Sequence, residues 1–340
     1  MATDIGIDLG SSKTVIFSSS KIVLEQPSAV TVDADTWQPV YFGEKAKQTM
    51  GRTPESLTCV LPIQNGVIAD YDLTEAMLSN YMNSVFGKRI VRPRVVATLP
   101  TNVTELQHHS LAKAVEASGG RNVTVIESPL AVAIGLGIDL SAPKGNLIVD
   151  MGAGTVDIAA ISLGGIAQCD SYKFAGRDID DEITKYIRKE YNIAVGPLTA
   201  ERIKNQLATV VENPVEVGLI AKGSNVFTGM PETFEITSTE IYPVIYDAVN
   251  HICNAIRKVT ERTDPDIVGD IMEHGIYLTG GLSLLKGMPE FLGKYFNTKV
   301  HTDSDPTYSV VRGAARALKY PKLLADMDYQ FRSIKELIIE

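Results

Sequence analysis

Two short turns in this chain combine an aspartate, glycines and small polar residues at the end of an apolar strand. They are Asp8-Leu9-Gly10-Ser11-Ser12-Lys13 and Asp150-Met151-Gly152-Ala153-Gly154-Thr155. Glycine lets the backbone come close to a ligand, so the amides and hydroxyls of such turns suit phosphate oxygens. An aspartate at each strand end suits a hydrated Mg²⁺, which prefers a few carboxylates, phosphate oxygens and retained waters. Two such turns facing each other predict a clamp for a nucleoside triphosphate.

A third glycine turn follows the apolar run of residues 276–279 and supports this interpretation. It consists of Gly280, Gly281, Leu282 and Ser283, and we expect an apolar helix directly after it. A nucleoside that lies flat against a turn needs such a close approach to the backbone. A single Asp-x-Gly turn is more often a plain connection between strands. Because internal repeats report architecture, the recurrence favours the clamp.

The overall composition is that of a globular protein with more than one lobe. The chain has 340 residues, of which 44% are hydrophobic and 21% charged, and its formal net charge is −9. This acidic balance argues against nucleic acid as a partner. Cys59, Cys169 and Cys253 are far apart and are expected to be buried thiols in a reducing cytosol. The histidines form no metal-binding pattern, so Mg²⁺ with its nucleotide is the expected metal.

The elements that must position the turns alternate between strand and helix. Residues 94–100 read as a buried strand. Residues 101–118 are predicted as a helix that is capped by Thr101 or Asn102 and ended by two glycines. Such alternation favours α/β layers, in which helices cover the sheets.

Two stretches differ from this alternation. Residues 32–69 consist of short polar pieces punctuated by proline and glycine, and residues 180–234 carry predicted helices followed by a loop at residues 222–225. We interpret both as small insertions, one on each half of the chain. The predicted architecture is an α/β fold of two similar lobes, each with a small appendage, and a cleft between them.

The chain resembles the actin/Hsp70/hexokinase superfamily and, within it, the MreB family of bacterial actins. Besides the three turns, the resemblance rests on residues 65–70, 92–96, 126–129 and 199–204. It implies a two-lobed actin-like ATPase fold with four subdomains. The first large subdomain would hold residues 1–31, 70–142 and 306–340, the first small one 32–69, the second large one 143–179 and 235–305, and the second small one 180–234.

The resemblance also implies roles for single residues in binding ATP and Mg²⁺. The phosphate loops would be formed by Ser11, Ser12 and Lys13 and by Ala153, Gly154 and Thr155, with Asp8 and Asp150 holding Mg²⁺ through water. The adenosine would lie over Gly280, Gly281, Leu282 and Ser283, with Glu201 and Lys204 at the ribose and base edge. Without the resemblance, Glu201 and Lys204 would be interpreted as an ordinary solvated pair on one helix.

Two positions depart from the family pattern, and the first is Lys13, where the family usually has asparagine. A lysine here could reach a β- or γ-phosphate, as in other phosphate loops. The alternative is a displaced side chain that faces solvent.

The second departure is Ser128. The family typically reads Glu-Glu-Pro where this chain has Glu127, Ser128 and Pro129, and the family's water-polarising glutamate falls on Ser128. Hydrolysis needs a group that orients the attacking water, and a serine carries no charge to polarise it. We therefore expect slow ATP hydrolysis, unless Glu127 or Asp70 compensates.

The leading hypothesis is an ATP-binding cytoskeletal protein that polymerises into actin-like filaments, with paired protofilaments, and governs bacterial cell shape or shape-linked motility. Head-to-tail contacts make filaments when the rotation between subunits does not close a ring. The alternative is a small-molecule kinase on the same scaffold, with Asp70 as the base that accepts the substrate's proton.

A loop of the first lobe offers a membrane contact. Ile90 and Val91 are flanked by four cations at positions 88, 89, 92 and 94, a combination that suits an anionic lipid surface. The alternative is a lobe-edge turn whose arginines pair with acidic neighbours. We expect a cytoplasmic protein, at the inner face of the membrane if this loop binds, with membrane-anchored shape proteins as further partners. Residues 328–340 are predicted as an amphipathic helix that packs on the first lobe.

Overall fold

The structure is a computed structural model that describes residues 4–18, 20–87, 92–212 and 215–318. The first half of the chain forms ten strands and four helices within these ranges. They are β1 (Asp4–Leu9), β2 (Lys13–Ser18), β3 (Lys21–Pro27), β4 (Val30–Asp33), β5 (Pro39–Phe42), α1 (Glu44–Thr49), β6 (Leu57–Val60), β7 (Ile63–Gln64), β8 (Val67–Ile68), α2 (Tyr71–Phe86), β9 (Arg94–Leu99), α3 (Glu105–Ala117), β10 (Arg121–Glu127) and α4 (Ser128–Leu136).

The second half adds eight strands and six helices to the described part of the chain. They are β11 (Asn146–Met151), β12 (Val156–Ser162), β13 (Gly165–Tyr172), α5 (Gly176–Tyr191), β14 (Ile193–Ala194), α6 (Pro197–Leu207), β15 (Gly218–Asn225), β16 (Pro231–Thr237), α7 (Ser238–Arg262), α8 (Pro265–His274), β17 (Ile276–Thr279), α9 (Met288–Phe296), β18 (Val300–Thr302) and α10 (Ser309–Ala317). Two 3₁₀ turns, Gly281–Leu284 and Pro306–Tyr308, flank the last strands.

The two large sheets have the same topology. Their strand orders are β3-β2-β1-β9-β10 and β13-β12-β11-β17-β18. In each, the first three strands form antiparallel pairs and the last two continue in parallel. The two Asp-x-Gly turns therefore occupy equivalent places, each at the carboxyl end of the central strand. This is the two-lobed α/β plan that the repeated turn predicts.

Each half also carries a small sheet. Strands β5, β4 and β6 form one, next to α1 and the short β7–β8 hairpin, and β14, β15 and β16 form the other. Residues 222–225 lie inside β15, so the loop predicted there is wrong. That strand pairs with β16 along its whole length, and the pairing overrides its glycine-rich sequence.

Helices α4 and α10 pack against each other between the two large sheets. Their buried side chains join residues of both sheets, such as Val96 of β9 and Ile148 of β11, in one apolar cluster. Glycines make the close crossing possible, because a Cβ on Gly135 would lie 2.6 Å from the carbonyl oxygen of Ser309. The two lobes thus share one core layer.

Two helix predictions need correction. Helix α3 begins at Glu105 with Thr104 as its cap, four residues after the predicted start, because Thr104 and Gln107 form a reciprocal capping box. The turn after Gly280 is followed by a 3₁₀ turn, and the helix itself begins only at Met288. Of the helices described, none is both long enough and apolar enough to cross a bilayer.

Candidate functional site

The two Asp-x-Gly turns are tight connections of the same kind. The amide of Gly10 donates to the carbonyl oxygen of Lys13 at 3.1 Å, and the amide of Gly152 donates to that of Thr155 at 2.8 Å. The intervening residues of each turn are thereby left free to face the cleft. A Cβ on Gly10 would lie 2.9 Å from the same carbonyl oxygen, so the turn requires glycine there.

The turns meet across the cleft between the lobes. Ser11 accepts a hydrogen bond from the amide of Gly66 at its Oγ, at 2.8 Å. A Cβ on Gly154 would collide with the Ser11 side chain. The guanidinium of Arg177, from the second half of the chain, donates to the carbonyl oxygen of Ser11. The two predicted phosphate loops therefore face each other, as the clamp requires.

A cavity of about 740 Å³ lies between the loops, within the range of small-molecule sites. Most of the predicted binding residues line it, namely Asp8, Ser11, Ser12, Lys13, Ser128, Asp150, Ala153, Gly154, Thr155, Glu201, Lys204, Gly280, Gly281 and Leu282. Ser283, Glu127 and Asp70 lie outside its wall. Ile90 and Val91 lie outside the described residues.

The third turn reaches the floor of this cavity. Gly280 has φ +86°, and a Cβ there would lie 2.7 Å from Oδ1 of Asp150. Ser283 donates from its Oγ to the carbonyl oxygen of Gly280 at 2.6 Å and so supports the turn from behind the wall. The backbone at Gly280 thus approaches the end of β11 as closely as only glycine allows.

Three carboxylates crowd the same floor. Asp8 comes from the first lobe, and Asp150 and Asp157 stand opposite each other on β11 and β12. Burial raises the pKa of all three, and the charges of Asp157 and Asp8 raise the pKa of Asp150 well above its ordinary value. Hydrogen bonds from Ser171, Thr155 and Thr101 partly offset burial, leaving the pKa of Asp157 at about 6.

This excess of buried negative charge fits a divalent cation. Asp8 accepts from Thr98 Oγ1 at 3.1 Å, which orients its carboxylate. Across the described ranges, no three His, Cys, Asp or Glu side chains are grouped as direct metal ligands. A cation here would therefore depend on phosphate oxygens and water besides the carboxylates, which is the coordination that Mg²⁺ prefers.

Lys13 lines the cavity and is paired with groups at its edge. Its Nζ lies 2.5 Å from Oε1 of Glu25 and 4.5 Å from the centroid of the Tyr308 ring. Tyr308 donates from its hydroxyl to the other Glu25 oxygen at 2.7 Å, which closes a three-residue cluster at the edge of the cavity. Lys13 thus has partners of its own, which neither of the two sequence interpretations included.

Glu201 and Lys204, although on one helix, each pair with a different segment. Lys204 donates to the Gly176 carbonyl oxygen at 2.6 Å and to Oδ2 of Asp180 at 2.8 Å. Glu201 bonds to Lys47 of α1 at 2.9 Å. Both side chains line the cavity, and they do not pair with each other on the helix surface.

Comparison with known proteins decides the family. The sequence profile described as MreB/Mbl protein matches residues 2–326. The chain belongs to the MreB/Mbl family. It is 37% identical over 327 residues to the cell shape-determining protein Mbl of Bacillus subtilis, covering 94% of this chain and 98% of that protein. It is 33% identical over 325 residues to the cell shape-determining protein MreB of Escherichia coli, covering 94% of each.

Comparison with solved structures agrees with this family assignment. MreB5 of Spiroplasma citri bound to AMPPNP superposes with a TM-score of 0.89 at 31% identity, covering 96% of this chain and 98% of that one. The MamK double helical filament matches in fold, with a TM-score of 0.79 at 20% identity over 94% of this chain and 99% of that one. The resemblance to MreB and the two-lobed actin-like fold are thus confirmed. Family membership favours a cytoskeletal role in cell shape over the kinase alternative.

The three residues predicted to act in hydrolysis have different surroundings in this MreB/Mbl chain. Ser128 lines the cavity and donates from its Oγ to the Leu99 carbonyl oxygen at 3.0 Å. Glu127, the preceding residue, is partly buried; this burial raises its pKa, and its Oε2 has no hydrogen-bond partner among the described residues. Asp70 caps α2 by accepting from the amide of Leu73 at 3.0 Å.

Sequence reasoning missed Asp157, Arg177 and Lys47. Asp157 could have been found from the sequence. It lies two residues after Thr155, just as Asp150 lies two residues before Gly152, and a hairpin closed by Gly152 and Thr155 places these two aspartates opposite each other. Arg177 and Lys47 had no such signal in the sequence, since each bonds to a residue more than 150 positions away in the chain.

Proposed function

We propose that this chain binds ATP and Mg²⁺ in the cleft and polymerises into actin-like filaments that govern cell shape. The observation that carries the proposal is the pair of equivalent glycine turns, which face each other across one cavity floored by acidic side chains. Amides and hydroxyls from both lobes would hold the phosphates, and Mg²⁺ would offset the charge of the carboxylates.

The residue roles follow the geometry of the wall. The phosphates would contact Ser11, Ser12, Ala153, Gly154 and Thr155, Mg²⁺ would be held through water by Asp8 and Asp150, and the nucleoside would contact Glu201, Lys204, Gly280, Gly281 and Leu282. Ser283 would act only by supporting the turn. We further propose the four subdomains with the boundaries given above, since each small sheet lies largely within one of the predicted insertions. Strand β4 begins two residues before the first insertion, and β16 ends three residues after the second.

Hydrolysis is proposed to be slow. Ser128 lines the cavity at the position of the family's water-polarising glutamate, but its hydroxyl proton is committed to Leu99. A hydroxyl without charge polarises water poorly, and loss of a general base lowers rates by about 10²–10⁴-fold. Glu127 and Asp70 lie outside the wall, so neither replaces the missing group at that position.

The test follows polymer by sedimentation and phosphate release from ATP in the same sample. We expect pellets that require Mg²⁺ and ATP, with little phosphate released. Asp150→Asn should abolish Mg²⁺- and ATP-dependent assembly, whereas Asp247→Asn, on the exposed surface of α7, should behave as wild type. Pellets that form equally well without nucleotide would contradict ATP-driven assembly. Brisk phosphate release from wild type would contradict only the proposal of slow hydrolysis and would leave ATP-driven assembly standing.

We place the filament, as paired protofilaments, in the cytoplasm at the inner membrane surface, with membrane-anchored shape proteins as partners. The support is the sequence of the loop, where Ile90 and Val91 stand among four cations. Of these, Arg94 is paired with Asp4, so residues 88, 89 and 92 are the ones proposed to contact lipid. Apolar insertion and basic residues together give reversible binding to anionic lipid. Replacing Ile90 and Val91 by serine should abolish co-sedimentation with anionic liposomes, and unchanged binding would exclude this loop as the anchor.

A further inference from the structure

A salt bridge spans the cleft between the two small sheets. The Nζ of Lys47 lies 2.9 Å from Oε1 and 2.8 Å from Oε2 of Glu201. Lys47 belongs to α1, which packs on β4, and Glu201 belongs to α6, which packs on β15. The bridge thus joins the appendage of the first lobe to that of the second.

The bridge lies at the cavity wall, near a second bond between the lobes. Glu201 lines the wall and Lys47 does not. The Arg177 guanidinium, on which the charge of Glu201 acts, donates to the carbonyl oxygen of Ser11 in the first phosphate loop. The two lobes are therefore joined at two points next to the cavity.

We propose that Lys47 is a positioning residue that orients Glu201 toward the ribose and latches the cleft, so that the pair must separate before the nucleotide leaves. This inference rests on the proposed function, which places a nucleotide in the cavity. A carboxylate offers about four lone-pair sites, and one ammonium shared by both oxygens leaves acceptor capacity for ribose hydroxyls. Fixing Glu201 from outside the wall reduces the rotamer freedom that it must lose on binding ribose.

The expected effect is moderate, because Lys47 and Glu201 are 28% and 31% exposed. A partly solvated pair contributes little, so its loss should speed nucleotide release about twofold to fivefold. Salt screens such a pair, so release from wild type should also quicken as NaCl rises. A variant without Lys47 should lose most of that salt dependence.

The experiment measures release of radiolabelled ATP, chased with unlabelled ATP and followed by filter binding at low and high NaCl. The variants are Lys47→Ala, the conservative Lys47→Arg, and the control Lys45→Ala on the exposed side of the same helix. We expect faster and less salt-dependent release from Lys47→Ala, with Lys47→Arg and Lys45→Ala close to wild type. Equal rates for Lys47→Ala and wild type, or equal acceleration by Lys45→Ala, would overturn the latch.

A second readout separates positioning from a general loss of structure. Lys47→Ala should weaken binding of ATP more than binding of 2′,3′-dideoxy-ATP, because only ATP offers hydroxyls to Glu201. Equal weakening of both nucleotides would overturn the positioning role. Wild-type protein that retains no ATP on the filter would overturn the proposed function itself, whereas retention with unaltered release rates overturns the latch alone.

Discussion

Among single residues, we expect the charge at the cavity floor and the nature of Ser128 beside it to govern the chemistry. Asp8, Asp150 and Asp157 concentrate negative charge, and Ser128 offers only a hydroxyl where the resemblance to MreB predicts a carboxylate. Positioning and electrostatics supply nearly all of the catalysis in phosphoryl transfer, so one absent charge can separate binding from hydrolysis. Lys13, the one departure that adds charge, is engaged with Glu25.

Ser128→Glu should raise phosphate release from ATP by about 10²-fold, because a carboxylate at this point of the wall can orient and polarise the attacking water. Phosphate release under single-turnover conditions measures the change. Ser128→Gln is the matched control, since it has nearly the same size without the charge, and should gain far less. A variant Ser128→Glu that binds ATP but hydrolyses it no faster would mean that this position does not face the attacking water.

Lys13→Asn should leave the affinity ratio of AMPPNP to ADP within about twofold of wild type, because the ammonium is held by Glu25 and Tyr308. The partly exposed pair should contribute no more than about 1 kcal/mol to the free energy of unfolding. Calorimetric titration and urea unfolding check both statements, with the exposed Lys21→Asn as control. A selective loss of AMPPNP affinity would instead place Lys13 on the terminal phosphate.

At the level of elements, hairpins and one helix crossing bring the site together. Each turn is held by the antiparallel pairing of its two strands, and the pairing of β11 with β12 sets Asp150 opposite Asp157. Helices α4 and α10 join the two sheets through glycine contacts, and α4 begins at Ser128. The position of Ser128 at the cavity therefore depends on this crossing.

Gly313→Ala should destabilise the protein by at least about 2 kcal/mol, because the added Cβ would overlap the carbonyl oxygen of Ala131 on α4. Gly269→Ala in α8 is the matched control, since a Cβ there meets nothing within 4 Å. That control should gain about 0.5–1 kcal/mol from helix propensity alone. Urea unfolding measures both changes, and equal stability of the two variants would contradict the proposed tightness of the crossing.

For the whole molecule, the cleft couples the two lobes through charge. Burial raises the pKa of Asp150 and Asp157 of the second lobe, and the charge of Asp8 of the first lobe raises them further. Without a cation, these carboxylates repel each other across the cleft. Binding of nucleotide with Mg²⁺ is therefore expected to stabilise the closed arrangement of the lobes in two ways, by relieving this repulsion and through the contacts that the nucleotide makes.

Stability without nucleotide or Mg²⁺ should fall as pH rises. The pKa of Asp157 is about 6 in the folded protein against an ordinary value of 3.8. The folded state therefore holds the proton more tightly, and this stabilisation is present below pH 3.8 and lost as pH rises through about 6. Asp157→Asn should be more stable than wild type by about 3 kcal/mol at pH 7.5, and most of this difference should be gone near pH 4.

Urea unfolding at a series of pH values measures this difference. Asp247→Asn, on the exposed face of α7, serves as control and should track wild type throughout. A constant difference between Asp157→Asn and wild type at every pH would show that packing rather than titration is responsible. Adding Mg²⁺ with AMPPNP should narrow the difference, because the cation compensates the charge.

Local chemistry makes much of the site readable from the sequence alone. Glycine turns after apolar strands depend on nearby residues only, and their recurrence by itself indicates two similar lobes. The predicted capping of α3 is misplaced, because Asn102 adopts φ +56° and the amide of Thr101 donates to Asp157, a bond to a distant strand. Likewise, β15 extends through residues 222–225 because β16 pairs with it.

The sequence by itself determined the family and the two-lobed plan, and most of the site residues that it predicts line the cavity. Only the tertiary structure decided which partners the charged side chains take: Lys13 with Glu25, Lys47 with Glu201, and Arg177 with the backbone of Ser11. The reason is that a turn is specified by residues adjacent in the chain. A long charged side chain instead chooses its partner among groups that only the packing of distant elements brings within reach.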